Sequence, residues 1–338
     1  MKLFVFFIIN ILLITCIHHV QHKFKILLDI KQTHKINFKK KIVLSGGFYI
    51  LLSLIISKYF FNFQINEDFI LVLFCFFLLG FFSDIKPKLS PKIRLSIQIS
   101  LIIMYLYFFE IQIYKTNIFF IDYFIHSFIF NLFFTTFCVV VFLNGSNFID
   151  GVNTNLIGYY LIILLIISIY YSFEFELIYV IISLFIFLLF NLFGKCFLGD
   201  NGVYVLSILI SFIIIKLINL NSLNPIIAIN LLWYPAFENL FTILRRSIVG
   251  VTVDIADKKH LHTLLYKFYK RKFKKDLFSN SLSGITLNIY NFISIFISFK
   301  YMNNMQILAS VIILNIIIYL IVYFKLLKIL SNEEIFKK

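Results

Sequence analysis

Asn144-Gly145-Ser146-Asn147-Phe148-Ile149-Asp150-Gly151 is a polar island in a long apolar run. Residues 124–143 before it and 156–171 after it are mostly Phe, Ile, Leu, Val and Tyr. An ionisable group at membrane depth costs about 2.5–3.5 kcal/mol on insertion scales, so its presence marks a functional site by default. Either the island connects two spanning helices or it lines a wet cavity. Both readings put Asp150 at a membrane–water boundary.

The surrounding chain supports a lipid setting. It is 61% hydrophobic and only 14% charged, far from an average soluble domain. Apolar runs of about 20 residues recur, each able to cross a hydrocarbon core of roughly 30 Å. They are continuous rather than alternating, which argues against a β-barrel. The expected fold is therefore all-α, a polytopic integral membrane protein forming one domain over residues 1–338. Met1–Ile17 carries one Lys and no small-residue cleavage site, so it reads as a retained first helix. Cys16, Cys75, Cys138 and Cys196 are scattered singly and read as small apolar residues, not a metal or disulfide set.

Ten or eleven spans follow, near 2–17, 42–61, 69–83, 95–109, 124–143, 155–172, 177–193, 202–218, 225–244, 282–300 and 306–324. With the N-terminus outside, the inward segments are 18–41, 84–94, 144–154, 194–201, 245–281 and the C-terminal tail. They hold 26 of the 31 Lys and Arg residues. Basic residues favour the cytoplasmic side, so the expected orientation is N-terminus outside, C-terminus inside, with the active site on the cytoplasmic face.

Every unusual polar cluster falls on that face. The first runs through His34 and Lys39-Lys40-Lys41 to Ser45-Gly46-Gly47; its lysines read as a basic loop on anionic headgroups, and its glycine pair as a close backbone approach. The second is Ser83-Asp84, then Lys92, Arg94 and Gln98; a lone Asp ending a helix is ordinarily solvated. In the third, Asn144, Asn147 and Asp150 recur every three residues, on one side of a helical turn. The fourth, Gly199-Asp200-Asn201-Gly202, opens a long helix, where Asp200 either caps that helix or holds a cation near its N-terminus. The fifth holds Arg245-Arg246 and Asp257-Lys258-Lys259-His260-Leu261-His262. A solvated loop is its bland reading, and zinc is disfavoured because no nearby ligand completes a tetrahedral set. Lys267–Lys275 interleaves aromatics with cations, as membrane-surface segments do.

In their order and spacing these clusters resemble the polyprenyl-phosphate N-acetylhexosamine-1-phosphate transferases, glycosyltransferase family 4, over roughly residues 25–265. Thr33-His34 with Ser45-Gly46-Gly47 is similar to the family's first-loop His and glycine pair. Ser83-Asp84 stands at its acidic pair, followed by the Lys92, Arg94, Gln98 pattern. Asn144 to Asn153 resembles its Asn-x-x-Asn-x-x-Asp-Gly-x-Asp signature, and Phe197 to Gly202 its Phe-Met-Gly-Asp-x-Gly element. Pro235 through Arg246 to His262 resembles its late His-x-His-His loop. The chain departs from the pattern at Ser83, Asn153 and Thr263, and Glu238 stands where Asp is usual.

The resemblance implies transfer of a sugar-1-phosphate from a UDP-sugar to undecaprenyl phosphate, releasing UMP, at the inner membrane of a bacterium. It implies Mg²⁺ held by Asp200 and Asp150, with Asp84, Asp150 and Asp200 as catalytic acids. Asn144, Asn147, Asn153, His34, Arg246, His260 and His262 are then substrate contacts. The expected partners are the UDP-sugar and undecaprenyl phosphate, without nucleic acid; a homodimer is compatible. His260-Leu261-His262-Thr263 lacks the consecutive histidines of the muramoyl-pentapeptide branch, which favours a simple UDP-N-acetylhexosamine donor. That branch, an inactive lipid- or nucleotide-binding paralogue, and a multi-span transporter with a midplane site are the alternatives.

Overall fold

The computed structural model describes residues 1–28, 42–85, 90–171, 177–250, 257 and 259–335. In chain order the helices are α1 (Lys2–Phe24), α2 (Gly46–Phe61), α3 (Glu67–Ile85), α4 (Pro91–Phe109), α5 (Phe119–Ile125), α6 (Phe128–Ile149), α7 (Asn155–Tyr170), α8 (Ile178–Leu192), α9 (Gly199–Asn219), α10 (Pro225–Val249), α11 (Leu261–Phe273), α12 (Asp276–Lys300) and α13 (Met305–Ile335). Eight of them (α1, α3, α4, α6, α9, α10, α12 and α13) are long and apolar enough to cross a membrane. The shorter apolar helices α2, α7 and α8 account for the remaining three expected spans. The protein is an all-α, multi-pass membrane protein.

Three local features settle or go beyond what the residues left open. The Asn-rich island is not a loop, because α6 continues through it to Ile149. Its polar side chains bond back to the preceding turn: Asn144 Nδ2 donates to the Val140 carbonyl at 3.0 Å, and Ser146 Oγ to that of Phe142 at 2.7 Å. Such bonds satisfy polar groups locally and let the helix run on. Residues 261–273, expected inside a long basic connection, form the amphipathic α11, which buries Leu261, Leu264 and Leu265 and ends in Lys270, Arg271 and Lys272. Finally, β1 (Val43–Leu44) pairs in parallel with β2 (Cys196–Phe197), joining the chain entering α2 to the chain entering α9. Two residues per strand carry no periodicity a sequence could display.

The centre of the bundle is α9, buried on nearly every side from Gly199 to Ile218. A helix apolar all round belongs in an interior. It packs against α2, α3 and α6, while α6 also lies along α10 and α4. Small residues set the close approaches, as between membrane helices generally. A Cβ on Gly80 would sit 2.4 Å from Asn201 Cα, and one on Gly145 2.0 Å from the Pro235 carbonyl oxygen. Pro235 lies inside α10 and has no N–H for the carbonyl one turn back. That carbonyl, of Leu231, accepts instead from the Tyr159 hydroxyl at 2.6 Å, so this acceptor is not stranded in the apolar interior.

Helix ends sort as the cation count requires. On one side Ser45 N–H donates to the Phe197 carbonyl, Asn153 N–H to Asn280 Oδ1 and Thr154 N–H to Asn191 Oδ1, between segments expected inside and the adjoining ends of two expected spans. On the other, Tyr114 N–H donates to Asn219 Oδ1 and Asn117 Nδ2 to Asn224 Oδ1, between segments expected outside.

Two expected outcomes follow. In a background lacking the four native cysteines, a cysteine replacing Lys272 resists an impermeant thiol reagent in intact cells, while one replacing Ser222 reacts; the reverse pattern overturns the orientation. Gly80→Ala forces α3 away from α9 and lowers thermal stability by about 1–3 kcal/mol, measured as loss of folded protein in detergent. Gly250→Ala, where a Cβ would meet nothing within 4 Å, leaves this packing alone and carries only the backbone strain of its φ of +71°.

Candidate active site

Gly199 opens α9 with φ +73°, a conformation that suits glycine, and turns the chain so that the next two N–H groups point at the end of α3. Asp84 meets them there. Its Oδ1 accepts from Asp200 N–H at 3.0 Å and its Oδ2 from Asn201 N–H at 3.1 Å. Asn201 Nδ2 also donates to Oδ2, and Asn201 Oδ1 accepts from Gly47 N–H at 2.6 Å. Asp84 thus caps α9 from another helix, satisfying orphan donors and placing negative charge at the positive end of the helix dipole.

That settles what Asp200 does not do. Its side chain is not the cap. Asp200 Oδ2 accepts from Ser83 Oγ at 2.6 Å and from Arg94 Nη1 at 3.0 Å, and Arg94 Nη1 also reaches Ser83 Oγ at 3.0 Å. The Asp200–Arg94 pair is part-exposed, with side chains 24% and 27% accessible. One turn along α4, Gln98 Oε1 accepts from Asn144 Nδ2 at 3.0 Å, which ties this cluster to the last turns of α6.

Past Asn147, Asp150 follows the end of α6, buried, with its N–H on the Ser146 carbonyl at 3.1 Å. The loop beyond meets the histidine segment. A Cβ on Gly151 would lie 1.9 Å from His262 Nε2, so the ring and this glycine are in close contact. His260 and His262 are both buried, not solvated, and their rings stack at 5.5 Å and 8°. His260 lies 5.2 Å from the Phe148 ring, and its Nδ1 is 2.9 Å from Glu238 Oε1. Arg245 pairs with Asp257, and Asp257 also accepts from Lys259 N–H at 2.9 Å. Burial pushes the Asp257 carboxyl up, but its electrostatic interaction with His260, the bonds from Arg245 and Lys259 and the Arg245 charge outweigh burial and hold it below its usual value.

The structure thus arranges the expected residues as two polar clusters joined by α6. Asp84, Asp200 and Asn144 belong to the first; Asp150, His260 and His262 to the second. Asn147 lies on α6 between Asn144 and Asp150. Arg246 is on the last turn of α10. Asn153 turns to α12: its N–H bonds Asn280 Oδ1 at 2.6 Å, and its side chain lies 3.4 Å from Ser281 Oγ. His34 lies outside the described residues. Arg94 and Gln98 were not among the expected site residues, although their four-residue spacing on α4 puts them on one face. Glu238 was noted only as a departure.

Among the described residues, no group of three or more His, Cys, Asp or Glu side chains forms a metal cage. Magnesium does not need one, since it takes one or two carboxylates and completes its shell with phosphate oxygens and water. The donor set fits that mode. Ser83 and Arg94 both bond Oδ2 of Asp200, leaving Oδ1 for a cation, whereas Asp84 is committed to α9.

Part-buried acids, a cation and carboxamides thus gather at helix ends of a multi-pass membrane protein. Residues 68–218 match the family model described as glycosyl transferase family 4, and assignment of the chain to that family rests on this match. The match supports, in general terms, a transferase moving a sugar-1-phosphate to a polyprenyl phosphate. No curated protein matches the chain.

The capping geometry has a measurable consequence. Asp84→Ala removes the acceptor of two helix N–H groups and lowers stability by about 0.5–2 kcal/mol, with Asp84→Asn milder because one amide oxygen remains. An unchanged unfolding midpoint for both variants would show that Asp84 does not cap α9.

Proposed function

We propose that this protein transfers an N-acetylhexosamine-1-phosphate from a UDP-sugar to undecaprenyl phosphate, releasing UMP and leaving a lipid-linked sugar diphosphate for envelope polysaccharide synthesis in the bacterial inner membrane. The observation that carries this reading is Asp200, bonded to Ser83 and Arg94 at the start of an α9 already capped by Asp84, in the segment matched by the family. In the net reaction an oxygen of the acceptor phosphate becomes bonded to the sugar-bearing phosphorus of the donor, and the bond from that phosphorus to the UMP oxygen breaks, UMP leaving with the electron pair. Both reactants are anions, so charge neutralisation and alignment dominate the barrier.

Each side chain has a part in that task. Arg94 supplies fixed positive charge beside Asp200, and Ser83 orients the carboxylate with its hydroxyl. Asn147 offers an amide donor on α6, while Asn144, its two amide hydrogens given to Gln98 and the Val140 carbonyl, ties that side of the helix to α4. Arg246, His260 and His262 serve the diphosphate and sugar. Asn153, bonded to α12, holds the Asp150 loop in place. Bound Mg²⁺, held by Asp200 with Asp150 as the second carboxylate, would offset charge on the phosphate oxygens. The acceptor's polyprenyl chain stays in lipid, which explains a site built on helix ends.

Ser83 is compatible with activity. The Ser83 hydroxyl donates to Asp200 Oδ2 at 2.6 Å, where a second carboxylate would add like charge beside Asp200.

Purified protein in detergent with undecaprenyl phosphate, Mg²⁺ and a panel of UDP-N-acetylhexosamines releases UMP on this reading. Asp200→Asn abolishes nearly all turnover while the protein stays folded. Activity within about tenfold of the parent, roughly 1.4 kcal/mol of barrier, would remove Asp200 from contact with cation or substrate. No UMP from the parent, but clear release by Ser83→Asp with Asn153→Asp, would instead identify an inactive paralogue.

A further inference from the structure

Glu238 is the most deeply buried acid among the described residues, 1% exposed on α10. A buried carboxylate is costly unless its oxygens are occupied, and both are. Oε2 accepts from the Tyr319 hydroxyl at 2.7 Å, and Oε1 lies 2.9 Å from His260 Nδ1. A carboxylate only accepts, so Tyr319 donates and His260 carries its proton on Nδ1. Thr242 Oγ1, 3.5 Å from the same nitrogen, is the weaker partner.

Phe148 and His262 cover the faces of the ring, and Nε2, 3.8 Å from Asp257 Oδ2, lies beyond hydrogen-bond distance of that carboxylate. Tyr319 is itself buried, packed on Phe237 and Phe241 of α10. Tyr319, Glu238 and His260 therefore form a hydrogen-bonded line from α13 through α10 to the head of α11. All three lie beyond residue 218, outside the family match.

We propose that Glu238 is a positioning residue for His260: supported by Tyr319, it fixes the ring with Nδ1 protonated and leaves Nε2 for the donor substrate. Hydrogen bonds behind a working imidazole set its tautomer and orientation in this way. The role of His260 as a substrate contact rests on the function proposed above. The ring geometry does not, and the test separates them.

Histidine-labelled protein in detergent is compared by NMR, with the His260 signal identified by its loss in His260→Ala. In the parent, Nδ1 is the protonated nitrogen. Glu238→Gln and Tyr319→Phe shift that signal, while the folded fraction and unfolding midpoint stay close to the parent. An unmoved signal in Glu238→Gln overturns the proposal whatever the enzyme's activity. UMP release gives the second reading. Glu238→Gln lowers kcat/KM by about tenfold or more in the parent, but by less than about twofold in a His260→Ala background, since its effect runs through that ring. Equal losses in both backgrounds also overturn the proposal. If the parent releases no UMP with any donor, the functional reading fails and the NMR result still decides the positioning role.

Discussion

The carboxylate of Asp84, resting on the first N–H groups of α9, is the contact from which the rest of the site is organised. The start of a central helix presents unsatisfied donors and a positive dipole end, and the burial of Gly199 and Asn201 limits the water that could meet either. An acid from a neighbouring helix answers both needs. Its reach requires that α3 lie against α9, which Gly80 permits, and that the chain turn at Gly199. Asn201 then bridges Asp84 to the Gly47 N–H and brings in α2. One capping interaction thereby sets three helix ends, and Asp200, relieved of capping, is left to meet Arg94 and Ser83.

A second constraint is the satisfaction of polar groups within the bundle. Pro235 would strand the Leu231 carbonyl, but the Tyr159 hydroxyl meets it. The island of α6 would leave amides and hydroxyls in an apolar setting, but they bond to the turn behind them and to Gln98. These bonds keep α6 helical to Ile149 and make it the link between the Asp200 cluster and the histidine cluster. The chemistry proposed for the site needs groups held at fixed separations, and a continuous helix holds them better than a loop would.

Much of the architecture was legible in the residues. Runs of Phe, Ile and Leu long enough for a bilayer each became a helix. The excess of Lys and Arg in alternate connections matches the way the helix ends associate. The three-residue spacing of Asn144, Asn147 and Asp150 does lie on helix α6 and its cap. Other features had no signature. The β1–β2 pair is too short to show a period, and α11 was hidden because its lysines and aromatics read equally well as a surface segment. The stacking of His260 on His262 was not readable either, since alternate residues share a face only where the chain is extended, and His260 is the extended residue that begins α11.

The sequence by itself determined the solvent this chain folds in, the number of its apolar segments and the residue types available at their ends, because hydropathy and charge are local properties read one residue at a time. Only the tertiary structure decided how those residues divide their work. That Asp84 caps α9 while Asp200 faces Arg94, that Asn153 turns to α12, and that Glu238 lies between Tyr319 and His260 all depend on bonds between groups far apart in the chain. A carboxylate carries the same charge in any of these roles. The donors that the packed helices bring within about 3 Å of it determine which role it takes.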